Sequence, residues 1–250
     1  MGPAAIFLLG CAARTPLGAP PDPDPEWTTE DGQAQTRVDL VETLLNTGQP
    51  DAALKLLNQL NAEDITSAEL TLLQARALRE IGLLQDAEEI LVELTRRNRR
   101  MPTAYNELGI LAMDRSAPAE AIPRFERACK LDKNNPEYFN NLGFALMSDG
   151  QTTEAVDILR SALRTDATRL RTRNNLGFAL VADGREQEAY RVFRSAIPED
   201  QARYNLGVGL ELRGDLDLAA AAYHAALSHN PDNASAQEAL QRLSQTRSEE

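Results

Sequence analysis

A small turn residue returns through this chain at Gly48, Gly82, Ser116, Gly150, Gly184 and Gly214, so the sequence repeats at steps of 34, 34, 34, 34 and 30 residues. Five residues after each turn stands an alanine: Ala53, Ala87, Ala121, Ala155, Ala189 and Ala219. Four residues further on comes a large apolar residue: Leu57, Leu91, Phe125, Leu159, Phe193 and Tyr223. A third series precedes the turn as Leu108-Gly109, Leu142-Gly143, Leu176-Gly177 and Leu206-Gly207, replaced in the first two copies by Leu40-Val41 and Gln74-Ala75. A fixed period of this length marks units that cannot bury an apolar face alone and do so by stacking on their neighbours.

Each recurring position has a physical reason. A glycine between two helices adopts the left-handed backbone without a steric penalty and closes the first helix. The Gly of the Leu-Gly pair and the Ala of the second helix remove bulk where two helices cross, so the backbones approach closely. The large apolar series fills the space toward the next unit, each side chain stabilising by ~1.5–3 kcal/mol through burial. This 34-residue helix-turn-helix pattern resembles the tetratricopeptide-repeat (TPR) family. The fold implied is all-α, a right-handed TPR solenoid of about six helix-turn-helix repeats with a C-terminal capping helix. The repeats are placed at 34–67, 68–101, 102–135, 136–169, 170–199 and 200–233. Residues 234–250 form a capping helix and tail, whose apolar face is Ala236, Ala239, Leu240 and Leu243.

With 42% hydrophobic residues the chain can bury a core, and a net charge of -12 argues against nucleic acid, which needs a concentrated basic face. Two cysteines, Cys11 and Cys129, do not make a disulfide framework. No run reaches the roughly 18 apolar residues of a membrane-spanning helix. The opening MGPAAIFLLGC, with Leu8-Leu9-Gly10-Cys11, resembles a bacterial lipobox, so residues 1–11 read as a lipoprotein-type signal remnant with Cys11 as the lipidation site. The other reading is a frayed terminus with a chance cysteine. Residues 12–33, with Pro16, Pro20, Pro21, Pro23 and Pro25 among Asp22, Asp24 and Glu26, disfavour helix and read as an extended tether.

In the TPR arrangement the first helix of each pair lines the concave face, so binding residues are sought there. Asn106, Asn140, Asn141, Asn174, Asn175 and Asn205 cluster around the Leu-Gly pairs, and an amide both donates to and accepts from an extended peptide. Asn141, Asn175 and Asn205 share one position of successive repeats, similar to the asparagine ladder of some family members, and Glu107 breaks that series. The alternative is local capping of the asparagines' own helices. Phe144, Phe178 and Tyr204, with Ile110, Met113, Met147 and Val208, offer an apolar groove floor. Arg171, together with Arg76, Arg79, Arg169 and Arg173, either meets acidic groups or is simply solvated. Cys129 reads as a buried structural thiol. His224 and His229 have no nucleophile or ligand pattern around them, so no catalytic residue, metal or cofactor is assigned.

The function expected is therefore a binding scaffold and not an enzyme. The stretch Asn174 to Leu180, followed by the shortened step to Tyr204-Asn205-Leu206-Gly207, resembles the TadD family of tight-adherence (Flp) pilus-assembly lipoproteins, and more distantly the TPR lipoproteins that pilot type IV pilus secretins. That resemblance implies an outer-membrane lipoprotein facing the periplasm and held by a lipid anchor only. Its partner would be a protein or peptide such as a secretin subunit or pilus-assembly protein. The alternatives are a soluble cytoplasmic TPR co-chaperone or regulatory adaptor and, remotely, an enzyme with an unrecognised site.

Overall fold

The computed structural model describes residues 30–249; Cys11, the lipobox and the tether up to residue 29 lie outside them. Among the described residues there are thirteen helices and no strand. They are α1 (Glu30–Asn46), α2 (Pro50–Ala62), α3 (Ala68–Glu80), α4 (Leu84–Arg97), α5 (Pro102–Asp114), α6 (Pro118–Leu131), α7 (Pro136–Ser148), α8 (Thr152–Thr165), α9 (Leu170–Ala182), α10 (Glu186–Arg194), α11 (Glu199–Arg213), α12 (Leu216–His229) and α13 (Ala234–Glu249). None of the described helices is long and apolar enough to cross a membrane. The α1 helix begins within the segment read as tether, at Glu30.

The described residues form six antiparallel helix pairs and a capping helix. Every first helix closes with the same device: the N–H of the residue after the turn position bonds a carbonyl five residues back, as in Gln151 to Leu146 (2.9 Å) and Arg185 to Leu180 (2.8 Å). That 6→1 bond requires a left-handed residue between the helices. Gly150 and Gly184 supply it at φ 83° and 75°, and Ser116 adopts the same conformation at φ 58° despite its Cβ.

The crossing of the two helices in a pair is set by one contact. A Cβ built on Gly109 would stand 2.5 Å from the Phe125 ring, and one on Gly207 would stand 2.5 Å from Tyr223. Phe125, Phe193 and Tyr223 are fully buried in these positions. Where the small residue is Ala75 or Val41, the facing residue is a slimmer Leu91 or Leu57. One continuous core runs from Ala112 to Leu243, preceded by two smaller clusters, one from Val38 to Ala77 and one from Leu72 to Leu111.

First helices also pack on one another from repeat to repeat, while the second helices lie outside them without comparable mutual contact. The first helices thus form a single inner layer, and the capping helix covers its end with Ala236, Ala239 and Leu243 buried. The fifth pair departs from the others. Its second helix, α10, has nine residues where the second helices of the other repeats have 13 or 14. The missing turn is replaced by a polar knot on Glu199, which accepts from Arg194 Nε (2.6 Å), Arg203 Nε (2.7 Å) and the Tyr190 hydroxyl.

Candidate functional site: the inner face of first helices

Position by position, the asparagines do something other than line an open ladder. Asn141 donates through Nδ2 to Asn106 Oδ1 at 2.9 Å, and Asn175 donates to Asn140 Oδ1 at 2.9 Å. Asn140 donates in turn to Asn141 Oδ1 at 3.4 Å, so four amides from three repeats form one chain. Asn106, Asn140 and Asn141 are buried and Asn175 is half-buried. Neither expected role describes this, because the amides cap no helix start and are turned to the neighbouring repeat. An unpartnered buried amide costs on the order of 1–3 kcal/mol, which is why side chains brought together in this way pair off.

Glu107 obeys the same rule. It occupies the position of Asn141 and Asn175 one repeat earlier, and it too reaches back, standing 3.5 Å from Arg79 Nε and 3.8 Å from Arg76 Nε. Burial pushes its carboxyl above the usual range although both guanidinium groups oppose that shift. Arg79 also pairs with Asp114 at 3.1 Å. Arg169 pairs with Asp166 (3.2 Å), and Arg173 donates to the Ser195 carbonyl (3.5 Å). Arg171 is exposed at the start of α9, with no ion pair among the described residues.

The fourth member of the series behaves differently. Asn205 is half-buried and makes no side-chain hydrogen bond among the described residues. The acceptor that the repeat pattern would assign to it, Asn174 Oδ1, is buried and has no partner. Both lie at the junction made by the short α10.

Two clefts open on the inner layer. One of 580 Å³ runs across the first four repeats and is lined by Glu42, Glu69, Arg76, Asn106, Glu107 and Ile110 among others. The other, of 480 Å³, lies between α9, α11 and the start of α13 and includes Leu170, Asn174, Ile197, Asp200, Tyr204 and Asn205. Between them Phe144 is 40% exposed, the repeat-register counterpart of Ile110, Phe178 and Val208. Phe178 packs edge-on against Phe193, with centroids 5.3 Å apart, and Tyr204 lies 5.7 Å from Tyr223, so both share their rings between groove and core. In the second cleft the Asp200 carboxyl is held below its ordinary range by bonds from Asn230 (3.0 Å) and Asn233 (2.9 Å). Nothing at the level of single residue types pointed to Asp200, Asn230 or Asn233; the shortened repeat step was the signal that marked their neighbourhood.

Elsewhere the chemistry is quiet. Burial pushes the Cys129 thiol up to about 12, which removes the reactive thiolate at neutral pH. His229 stands 3.7 Å from Glu199, and no group of three metal-ligating side chains occurs among the described residues.

A stack of helix pairs with polar and aromatic groups along its inner face defines a helical-repeat interaction scaffold. Two family models, both described as tetratricopeptide repeat, match the chain, one at residues 72–136 and 106–171 and the other at 34–59, together about half of its length. The chain belongs to the tetratricopeptide-repeat family. No curated protein matches it significantly in sequence. Among solved structures it is similar to YrrB, described as a TPR protein with an unusual peptide-binding site, at 22% identity over 74% of this chain and 97% of that one, TM-score 0.57. It is also similar to MamA, at 21% identity over 64% and 96%, TM-score 0.54, and to MamA from Desulfovibrio magneticus RS-1, at 18% identity over 68% and 96%, TM-score 0.57. At these identities the likeness is one of fold.

Proposed function

We propose that this protein captures an extended segment of another protein along its inner face, as a non-enzymatic scaffold in the bacterial envelope. The observation that carries the binding reading is Phe144, a large aromatic left 40% exposed in the middle of a face flanked by two clefts. A solvent-facing aromatic with polar groups on either side suits a partner that brings both apolar side chains and main-chain donors. Phe178, Tyr204 and Arg171 extend that surface toward the C-terminal end, whereas Asn106, Asn140 and Asn141 act behind it by holding repeats in register. A YrrB-like use of the TPR face for peptide is consistent with this assignment.

The envelope part of the proposal rests on Leu8-Leu9-Gly10-Cys11 and on the TadD-like stretch from Asn174 to Gly207. On this reading Cys11 carries lipid, the Pro/Asp-rich segment spans the distance to the membrane, and the repeats assist assembly of a pilus or secretion complex by holding a secretin or pilus subunit.

Two experiments separate these parts. A photo-crosslinking amino acid at position 144 should trap an assembly protein identifiable by mass spectrometry, whereas one at Val92, exposed on an outer helix, should not; equal trapping at both would refute the inner-face reading. Labelled palmitate should enter the wild type and not Cys11→Ala, with the wild type in the outer membrane. An unlabelled, cytoplasmic wild type would refute the envelope reading and return the chain to the adaptor class.

A further inference from the structure

The segment that leads into α1 and the edge where it enters carry opposite charge. Between Arg14 and Arg37 the sequence holds Asp22, Asp24, Glu26, Glu30 and Asp31 and no lysine or arginine, and among them stands Trp27, the one tryptophan of the chain. Antiparallel pairing sets the start of a first helix beside the end of its second helix, as the 2.9 Å ion pair of Arg37 with Glu63 shows for α1 and the end of α2. On the same edge α4 ends in Arg96 and Arg97, followed by Arg99 and Arg100, all four exposed in a chain of net charge -12. Glu93 pairs with Arg96 (2.7 Å) and Arg97 (2.5 Å), whereas Arg99 and Arg100 have no ion pair among the described residues. Arg127 joins them by donating to the Arg99 carbonyl (3.3 Å). A helix dipole favours cations in its last turn, which accounts for Arg96 and Arg97 but not for the two arginines beyond the end. Nor does the repeat require them: at the positions of Arg97, Arg99 and Arg100 the next two copies carry Leu131, Lys133 and Asn134, then Thr165, Ala167 and Thr168.

Beside these arginines a furrow of 740 Å³ lies between the start of α3 and the end of α4, walled by Ala68, Thr71, Ile90 and Leu94 and bounded by Arg97. Past Arg97 it continues into a hollow of 550 Å³ lined by Arg99, Arg100 and Met101. We propose that the chain's own segment 22–27 occupies this surface, with the Trp27 indole in the furrow and Asp22, Asp24 and Glu26 against Arg97, Arg99 and Arg100. The order of the residues fits the reach. α1 packs on α3 and α3 on α5, and packed helices lie roughly 8–10 Å apart. Extended chain from Glu30 back to Trp27 spans about 10 Å, enough to meet the start of α3, and back to Asp22 it spans up to about 26 Å, more than the two helix spacings to the start of α5. The furrow's apolar walls suit an indole, and Arg97 adds a cation for its face. Its carboxylates are Glu89 and Glu93, and Glu93 is already matched by two guanidinium groups, so four arginines against two acids leave the edge positive. Prolines at 21, 23 and 25 limit the conformational freedom lost on docking, and the covalent link holds the segment at an effective concentration on the order of millimolar. So placed, the segment straps together the two small apolar clusters of the N-terminal repeats. The inference does not depend on the inner-face reading: Thr71 and Gln74 of α3 line the furrow, whereas Glu69, Leu72 and Arg76 of the same helix line the inner cleft.

The test uses the full chain, in which Trp27 is the sole tryptophan and reports alone. In the native protein its emission should be blue-shifted and its quenching by acrylamide weak. Changing Arg97, Arg99 and Arg100 together to Glu should move both to the values of the urea-unfolded chain, and 1 M salt, which cuts the Debye length to about 3 Å, should move them in the same direction. Lys133→Glu with Arg164→Glu, on the same edge in later repeats, should leave them unchanged. Asp22→Arg with Asp24→Arg should release the indole, and adding Arg99→Asp and Arg100→Asp to that variant should restore the native values, with circular dichroism checking that each variant is folded. A photo-crosslinking amino acid at position 27 should join α3 or α4 within a monomer. Native quenching equal to that of the unfolded chain, or shielding indifferent to the arginine variants, would overturn the inference. Crosslinks found only in a dimer would overturn it too and assign the furrow to the segment of a second copy. Crosslinking at position 144 decides the inner-face reading separately, whatever Trp27 does.

Discussion

The glycine of a first helix lies directly against the large side chain of the second, and this contact yields a quantitative expectation for Gly109→Ala. An added Cβ would meet three ring carbons of Phe125, at 2.5, 2.6 and 2.7 Å. Carbon atoms rest comfortably at about 3.5–4.0 Å, so the ring must retreat by roughly 1 Å. Phe125 is 1% exposed and sits within the continuous core. Overpacking of that kind costs ~1–3 kcal/mol. Against it, alanine is favoured over glycine inside a helix by ~1 kcal/mol. The steric effect should outweigh it, with a net loss of up to about 2 kcal/mol and a fall in melting temperature of up to roughly 8 °C. The control is Gly109→Ala combined with Phe125→Leu, which recreates the Ala75 and Leu91 pairing of the preceding repeat. The double variant should lose less than the sum of the singles by about 1 kcal/mol. Urea unfolding followed by circular dichroism measures all four states of the cycle. A Gly109→Ala protein more stable than wild type, or singles that add, would refute the claim that this contact sets the crossing.

Ser116→Gly should raise stability by ~1 kcal/mol, because serine holds a left-handed φ of 58° where the other repeats use glycine; an unchanged melt would show that its backbone is unstrained. Ala155→Asp, which puts a charge at a fully buried helix crossing, should destabilise by on the order of 3–5 kcal/mol in the same assay. Glu199→Gln tests the knot at the short α10. The Tyr190 hydroxyl and then Arg194 and Arg203 hold the Glu199 carboxyl down at about 2, below its usual 4.5. A carboxyl lowered on folding stabilises above its unfolded pKa and loses that contribution as pH falls through the folded one. The variant should therefore melt below wild type at neutral pH, and the gap should close between pH 4.5 and about 2; a gap independent of pH would assign the effect to packing.

The sequence by itself determined the helix pairs, the turns and the crossing points. Those features rest on interactions within one repeat: a left-handed turn residue closing its own helix, and a small residue under a ring sixteen positions away, as Gly109 lies under Phe125. Because such contacts are local and recur, their pattern is written in the period. The chain's inner-face candidates were legible for the same reason, since Ile110, Phe144, Phe178 and Val208 each follow the Leu-Gly pair directly. The fate of the asparagines was decided by the tertiary structure alone. Asn141 and Asn175 have the same neighbours in sequence as free ladder residues would have, yet each donates to an amide 35 positions earlier. Whether two amides meet or stay open depends on the spacing and rotation between repeats, which the intervening second helix sets. Where that helix is full length the amides close on each other, and where α10 is short they remain apart, leaving Asn174 and Asn205 facing a cleft.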